Sequence, residues 1–147
     1  MLSLTLSLPQ RSFAPDDTLP LTAALQNTGA APLLVNARLA LNAPSAPAVF
    51  REVELRITRG GDAAPLPFQA RVNIGAPQPE SFQLLAAGQE ITRVYHVGSY
   101  YGLTAGLYSV AAVYSNRQDY ERGSERAWQG EVVSDAVTFE IGAARPA

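Results

Sequence analysis

Leu2, Leu4, Leu6 and Leu8 alternate with serine and threonine at a strict period of two. That spacing suits a strand with one buried face, because successive side chains of an extended chain point to opposite sides. The same period returns at Leu19, Leu21, Ala23 and Leu25, closed by Asn27-Thr28-Gly29, and again at Leu33, Val35, Ala37, Leu39 and Leu41. Val53, Leu55 and Ile57 then alternate with Glu54 and Arg56, and Gly60-Gly61-Asp62 supplies a turn. Further on, Phe82–Leu85, Ile91–Val97, Gly106–Tyr114 and Val133–Ile141 read as strands. A short one is expected at Arg71–Ile74, between the prolines at 65, 67, 77 and 79. Together these make about nine strands separated by turn signals, with no apolar stripe of helical period. The pattern predicts an all-β fold, an antiparallel β-sandwich forming a single domain over residues 1–147.

Composition narrows the chemistry. Charged residues are only 16% of the chain, there is no cysteine and one histidine, and every one of the 11 basic residues is arginine. Disulfides, thiolate nucleophiles, cysteine-ligated zinc and lysine Schiff bases therefore have no residue to form on. A net charge of −2 gives no electrostatic footprint for nucleic acid. The uncharged run Val94–Asn116 is broken by His96, Ser99 and several tyrosines and glycines, which argues against membrane insertion. Residues 1–8 lack a basic flank and a cleavage site, so a cytoplasmic location is expected unless a leader has been removed.

No catalytic, cofactor-binding or metal-binding residues emerge. His96 lies between Tyr95 and Val97 on a strand, which turns it outward if its neighbours face the core. Asp16-Asp17 lacks the spaced oxygen ligands of a calcium loop and reads as a turn. Glu52 and Glu54, beside Arg56, read as a solvated strand face. No lysine follows Gly60-Gly61, so a phosphate loop is absent. The expectation is a non-enzymatic protein with no cofactor.

Gly106-x-Tyr108-x-Val110 resembles the tyrosine corner of immunoglobulin-like Greek-key sandwiches. It departs from antibody domains in lacking both cysteines, with Val110 where the second would stand, and in having its tryptophan late, at position 128. The wider pattern comprises Leu21–Gly29, Phe82-x-Leu84-x3-Gly88, Tyr100-Tyr101-Gly102-Leu103, Gly106–Tyr114 and Ser134–Ile141. It is similar to bacterial immunoglobulin-like domains, in particular the sandwich beside deuterolysin-type metalloendopeptidases and bacterial intracellular proteinase-inhibitor domains. The resemblance implies fold rather than activity, since the zinc-binding His-Glu-x-x-His is absent.

Two surfaces stand out. Residues 115–130 form a long polar connection carrying Arg117, Tyr120, Arg122, Arg126 and Trp128, residue types enriched at protein-binding hot spots. Either this segment is a contact surface, or Trp128 folds back as a lid on the sandwich edge and the charges solvate it. The proline-rich stretch 63–80, with Phe68, reads as a rigid connection that covers a sheet edge, with a binding loop as the alternative. The leading expectation is a non-catalytic protein-interaction or structural module, binding a protein partner or self-assembling through 115–130 or a sheet edge. The Leu2–Leu8 strand invites the edge reading because it has no guarding lysine. Deleting residues 1–9 is then expected to abolish assembly and leave the rest soluble. Two alternatives are a proteinase inhibitor or regulatory partner of a peptidase, and a carbohydrate-binding module using Tyr100, Tyr101, Tyr120 and Trp128 as an aromatic platform.

Overall fold

A computed structural model describes residues 1–43, 46–60, 64–69 and 77–142. The alternating segments become β1 (Leu2–Ser7), β3 (Pro20–Asn27), β5 (Val53–Arg59), β7 (Glu90–His96), β8 (Gly106–Asn116) and β12 (Val137–Ile141). Shorter strands fill the gaps: β2 (Ser12–Phe13), β4 (Leu33–Asn36), β6 (Phe82–Leu85), β9 (Glu121–Arg122), β10 (Glu125–Arg126) and β11 (Gly130–Val133). Among the described residues there is no α-helix, and no helix long and apolar enough to cross a membrane.

One sheet has the order β1-β3-β7, with both pairings antiparallel. The other is built on β8, which pairs antiparallel with β5 along one side and with β11 and β12 along the other. Its far edge is β2, parallel to β12. The chain therefore passes between sheets after β1, around Pro9, which cannot continue a ladder. A further pair, β4–β6, is tied to the hairpin β9–β10 through a bridge between Leu34 and Ala127.

The inner faces meet in one core, where Leu2, Leu4, Leu21, Leu25 and Tyr95 lie in the same apolar cluster as Val53, Ile57, Val110, Tyr114 and Phe139. The alternation is visible in β3, whose buried positions are Leu21, Ala23, Leu25 and Asn27. Leu2 and Leu4 are themselves core residues. Removing residues 1–9 would therefore open the core, and that deletion does not isolate an edge effect.

Among the described residues twelve strands stand in place of the nine expected, for local reasons. The segment 33–41 does not run on as one strand. Its ladder ends at Asn36, and Leu39 turns the chain with φ +51°. Leu41 resumes only as a parallel bridge to Val53. The segment 133–141 is split: from Val133 to Val137 is four steps, against three on β8 from Val113 to Val110. The extra residue makes a bulge, and Ser134 closes it by accepting the Ala112 N–H at 2.8 Å while donating its own N–H to Ala112 at 2.9 Å. β2, β9 and β10 are too short for periodicity to show. The strand expected at 71–74 lies outside the described residues.

Glu52 is the clearest correction. Expected on a solvated face, it is 2% exposed, just before β5. Its carboxylate accepts hydrogen bonds from Arg38 (Nε at 2.8 Å, and Nη2) and from the Ala40 N–H at 3.0 Å. It thus replaces the ladder partner that the Ala40 N–H forgoes once the chain has left β4. Two phenols serve the same segment, Tyr114 donating to the Asn36 carbonyl at 2.9 Å and Tyr95 to the Leu39 carbonyl at 2.6 Å. Tyr108 makes a local bond of the same kind, donating to the Thr104 carbonyl at 2.7 Å while its oxygen accepts the Thr104 N–H at 2.9 Å.

Candidate binding surface

The polar segment 115–130 is not a loose loop. Asn116, buried at the end of β8, donates from Nδ2 to the Trp128 carbonyl at 2.7 Å and to the Gln118 carbonyl at 3.2 Å, cross-linking the two ends of the segment. Beyond it, β9 and β10 pair antiparallel around Gly123-Ser124. Gly123 has φ +61° and Ser124 has no positive φ, the pattern of a type II′ turn that matches strand twist. The Ala127 N–H donates across the hairpin to the Tyr120 carbonyl at 2.7 Å, and its base is fastened from outside by the Trp128 N–H, which donates to the Leu34 carbonyl at 2.8 Å.

The five candidate residues part into two groups. Tyr120 is half-buried and stacks on Phe82 with centroids 4.5 Å apart, joining a small apolar cluster with Leu34 and Ala127. Trp128 is also half-buried and lies over the Tyr114 ring at 5.7 Å. These two rings hold the segment against the body of the protein. Arg117, Arg122 and Arg126 are exposed. Arg126 faces Glu121 at 2.8 Å and Asp119 at 3.4 Å. Arg122 sits over the Tyr120 ring at 5.8 Å and donates to the Pro79 carbonyl at 2.9 Å. Arg117 stands 3.8 Å from Glu131 in a shallow charged cleft shared with Arg51, Glu54 and Arg56.

The proposed aromatic platform is not assembled as one plane. Tyr100 and Tyr101 pack on Phe68 at 5.7 and 5.5 Å, and Tyr101 is buried, while Tyr120 and Trp128 face Phe82 and Tyr114. Phe68 shows what the described part of the proline-rich stretch does. With the Leu66 N–H donating to the Ile57 carbonyl at 2.7 Å, this stretch covers the outer edge of β5. His96 is exposed, between buried Tyr95 and Val97.

Asn27 and Glu52 are among the buried polar residues that pattern reading missed. Asn27 is fully buried and binds the carbonyls of Ala31 (2.8 Å) and Leu85 (2.9 Å) through Nδ2, and the Gly29 N–H (3.0 Å) through Oδ1. Its place on the buried parity of β3 was the available signal: an amide on an inward position must find partners.

Burial raises the phenols of the core. Tyr101 is pushed up to about 12, mainly by desolvation with a smaller contribution from the Glu54 charge. Tyr95 and Tyr114 lie well above the ordinary phenol range, chiefly through desolvation, with the Glu52 charge raising both further. Arg93 partly opposes the rise at Tyr95, as the hydrogen bond to Asn36 does at Tyr114. These phenols stay neutral donors. The chemistry of the site is thus guanidinium and aromatic contact on an ordered hairpin. Comparison of the chain with family models and with curated proteins returns no match.

Proposed function

We propose that this chain is an immunoglobulin-like Greek-key sandwich acting as a non-catalytic protein-interaction module, and that the outer side of the 115–130 hairpin meets the partner. Two features support the fold assignment. The first strand lies in one sheet while β2 joins the other, parallel to the last strand. The Tyr108 phenol also closes onto Thr104 as a tyrosine corner does. The observation that carries the functional reading is the division within the hairpin. Tyr120 and Trp128 fix its base, so Arg117, Arg122 and Arg126 are presented from a pre-ordered support. Pre-ordering lowers the entropy lost on binding, and arginine offers planar, multidentate recognition.

The test is site-specific photo-crosslinking in the producing cells, with a photoreactive residue at position 122 or, as control, at the exposed Asp135. A protein adduct is expected at position 122 alone, and to disappear in an R117A/R126A background. Equal adducts at both positions, or none at position 122, would overturn the reading.

A further inference from the structure

The three-stranded sheet ends in β1 on one side and β7 on the other, and neither has a second partner among the described residues. The two edges differ in protection. β7 carries Glu90, Arg93 and His96, and Arg93 reaches over its edge to the Arg38 carbonyl at 3.3 Å. Such charges are a usual way to keep an edge from pairing. Along β1 there is no charged side chain and no proline before Pro9.

The sequence of that edge has a symmetry of its own. Leu2-Ser3-Leu4-Thr5-Leu6-Ser7-Leu8 reads identically in both directions about Thr5. An isologous contact demands a surface that is its own complement, and an antiparallel strand pair about a two-fold axis meets that demand when its sequence is palindromic. From these observations we infer that β1 is a self-pairing edge whose occupant is β1 of a second copy of this chain, with the two-fold axis passing beside Thr5. The pairing sets Leu2 opposite Leu8, Ser3 opposite Ser7, Leu4 opposite Leu6, and Thr5 opposite Thr5. It extends β1-β3-β7 into a continuous six-stranded sheet of two copies.

Register and charge both favour this occupant. Every pair in the palindromic register is of like kind, so the leucines of both copies stay on the core-facing side. A slip of one residue would turn one leucine row to solvent. Leu2 and Leu4 are buried, whereas Leu6 and Leu8 are half-buried and line a groove of about 220 Å³ with Val137, Arg11 and Thr138. The less covered leucines of each copy thereby come beside the more covered leucines of the other. With no charge on either strand, no like-charge repulsion opposes the contact. A strand pair of this length falls at the small end of specific interfaces, so the dissociation constant is expected on the order of 10 μM.

Thr5 is exposed, so it can be changed without entering the core. Light scattering over a concentration series is expected to show the wild-type mass doubling. T5K and T5E, each placing like charges face to face, should need at least about tenfold higher concentration to dimerise. An equimolar mixture of the two should restore the dimer. Because the chain has no cysteine, T5C adds a single thiol, and mild oxidation should link two copies through it. T92C, at an exposed position on β7, should link far less. A wild-type protein that stays monomeric at millimolar concentration would overturn the inference, as would T5K that dimerises like wild type. If either charged variant folds poorly, the thiol pair decides, and T92C linking as well as T5C overturns it. The contact is separate from the hairpin: R117A/R126A should leave the doubling intact even where it removes the partner adduct.

Discussion

Glu52 shows how one residue can help to hold a segment that has left its strand. Past Asn36 the chain leaves the β4 ladder: the Ala40 N–H is met by Glu52, the Asn36 and Leu39 carbonyls by Tyr114 and Tyr95, and the Ala40 carbonyl and Asn42 N–H by Val53 of β5. Arg38 neutralises the carboxylate, with its own side chain 25% exposed. Removing one member of such a pair leaves the other group without its partner, which is more damaging than exchanging both for apolar groups. Glu52→Ala should therefore lower stability by about 3 kcal/mol in urea unfolding, and the double variant E52L/R38M by clearly less. A reading of β5 by alternation puts Glu52 on the solvent face. The burial arises from the fold of 36–42 back onto β5, a contact between segments that no local period encodes.

At the scale of elements, legibility followed length. β3 and β8 could be read from alternation because each is long and has a regularly buried face. The two-residue strands β2, β9 and β10 carry no period, and the bulge at Ser134 exists only as a mismatch between two strands. Within 115–130 the residue types were legible and their division of labour was not. Whether an aromatic ring turns outward depends on whether Phe82 or Tyr114 stands beneath it. The hairpin turn makes its own prediction. Gly123 sits at φ +61° with open space around the position of a Cβ, so Gly123→Ala meets only backbone strain. Hydrogen exchange in β9 and β10 should quicken about fivefold, equivalent to about 1 kcal/mol, with the core amides unchanged.

For the whole molecule, the buried phenols set a limit at high pH. An unfolded tyrosine loses its proton near pH 10, whereas Tyr95, Tyr101 and Tyr114 keep theirs in the folded state because burial raises them. The unfolded chain therefore binds fewer protons above about pH 10, and stability falls as pH rises. The loss continues through the folded-state ionisation of Tyr101 at about 12. Below about pH 9 these groups are protonated in both states and contribute no slope. Urea midpoints should accordingly be flat in tyrosine ionisation up to about pH 9 and drop steeply by about pH 11, with tyrosinate absorbance rising together with loss of the sheet signal. A midpoint that stays constant across this range would show that the phenols are solvent-accessible.

The single tryptophan gives the hairpin an optical signature. Trp128 is half-buried against Tyr114, held by its N–H donating to the Leu34 carbonyl and by the Asn116 side-chain amide donating to its carbonyl. Its emission reads the seating of that base, while the near-ultraviolet dichroism of the buried tyrosines reads the interior. Loosening of the contact surface and collapse of the core can thus be followed as two separate signals in unlabelled protein.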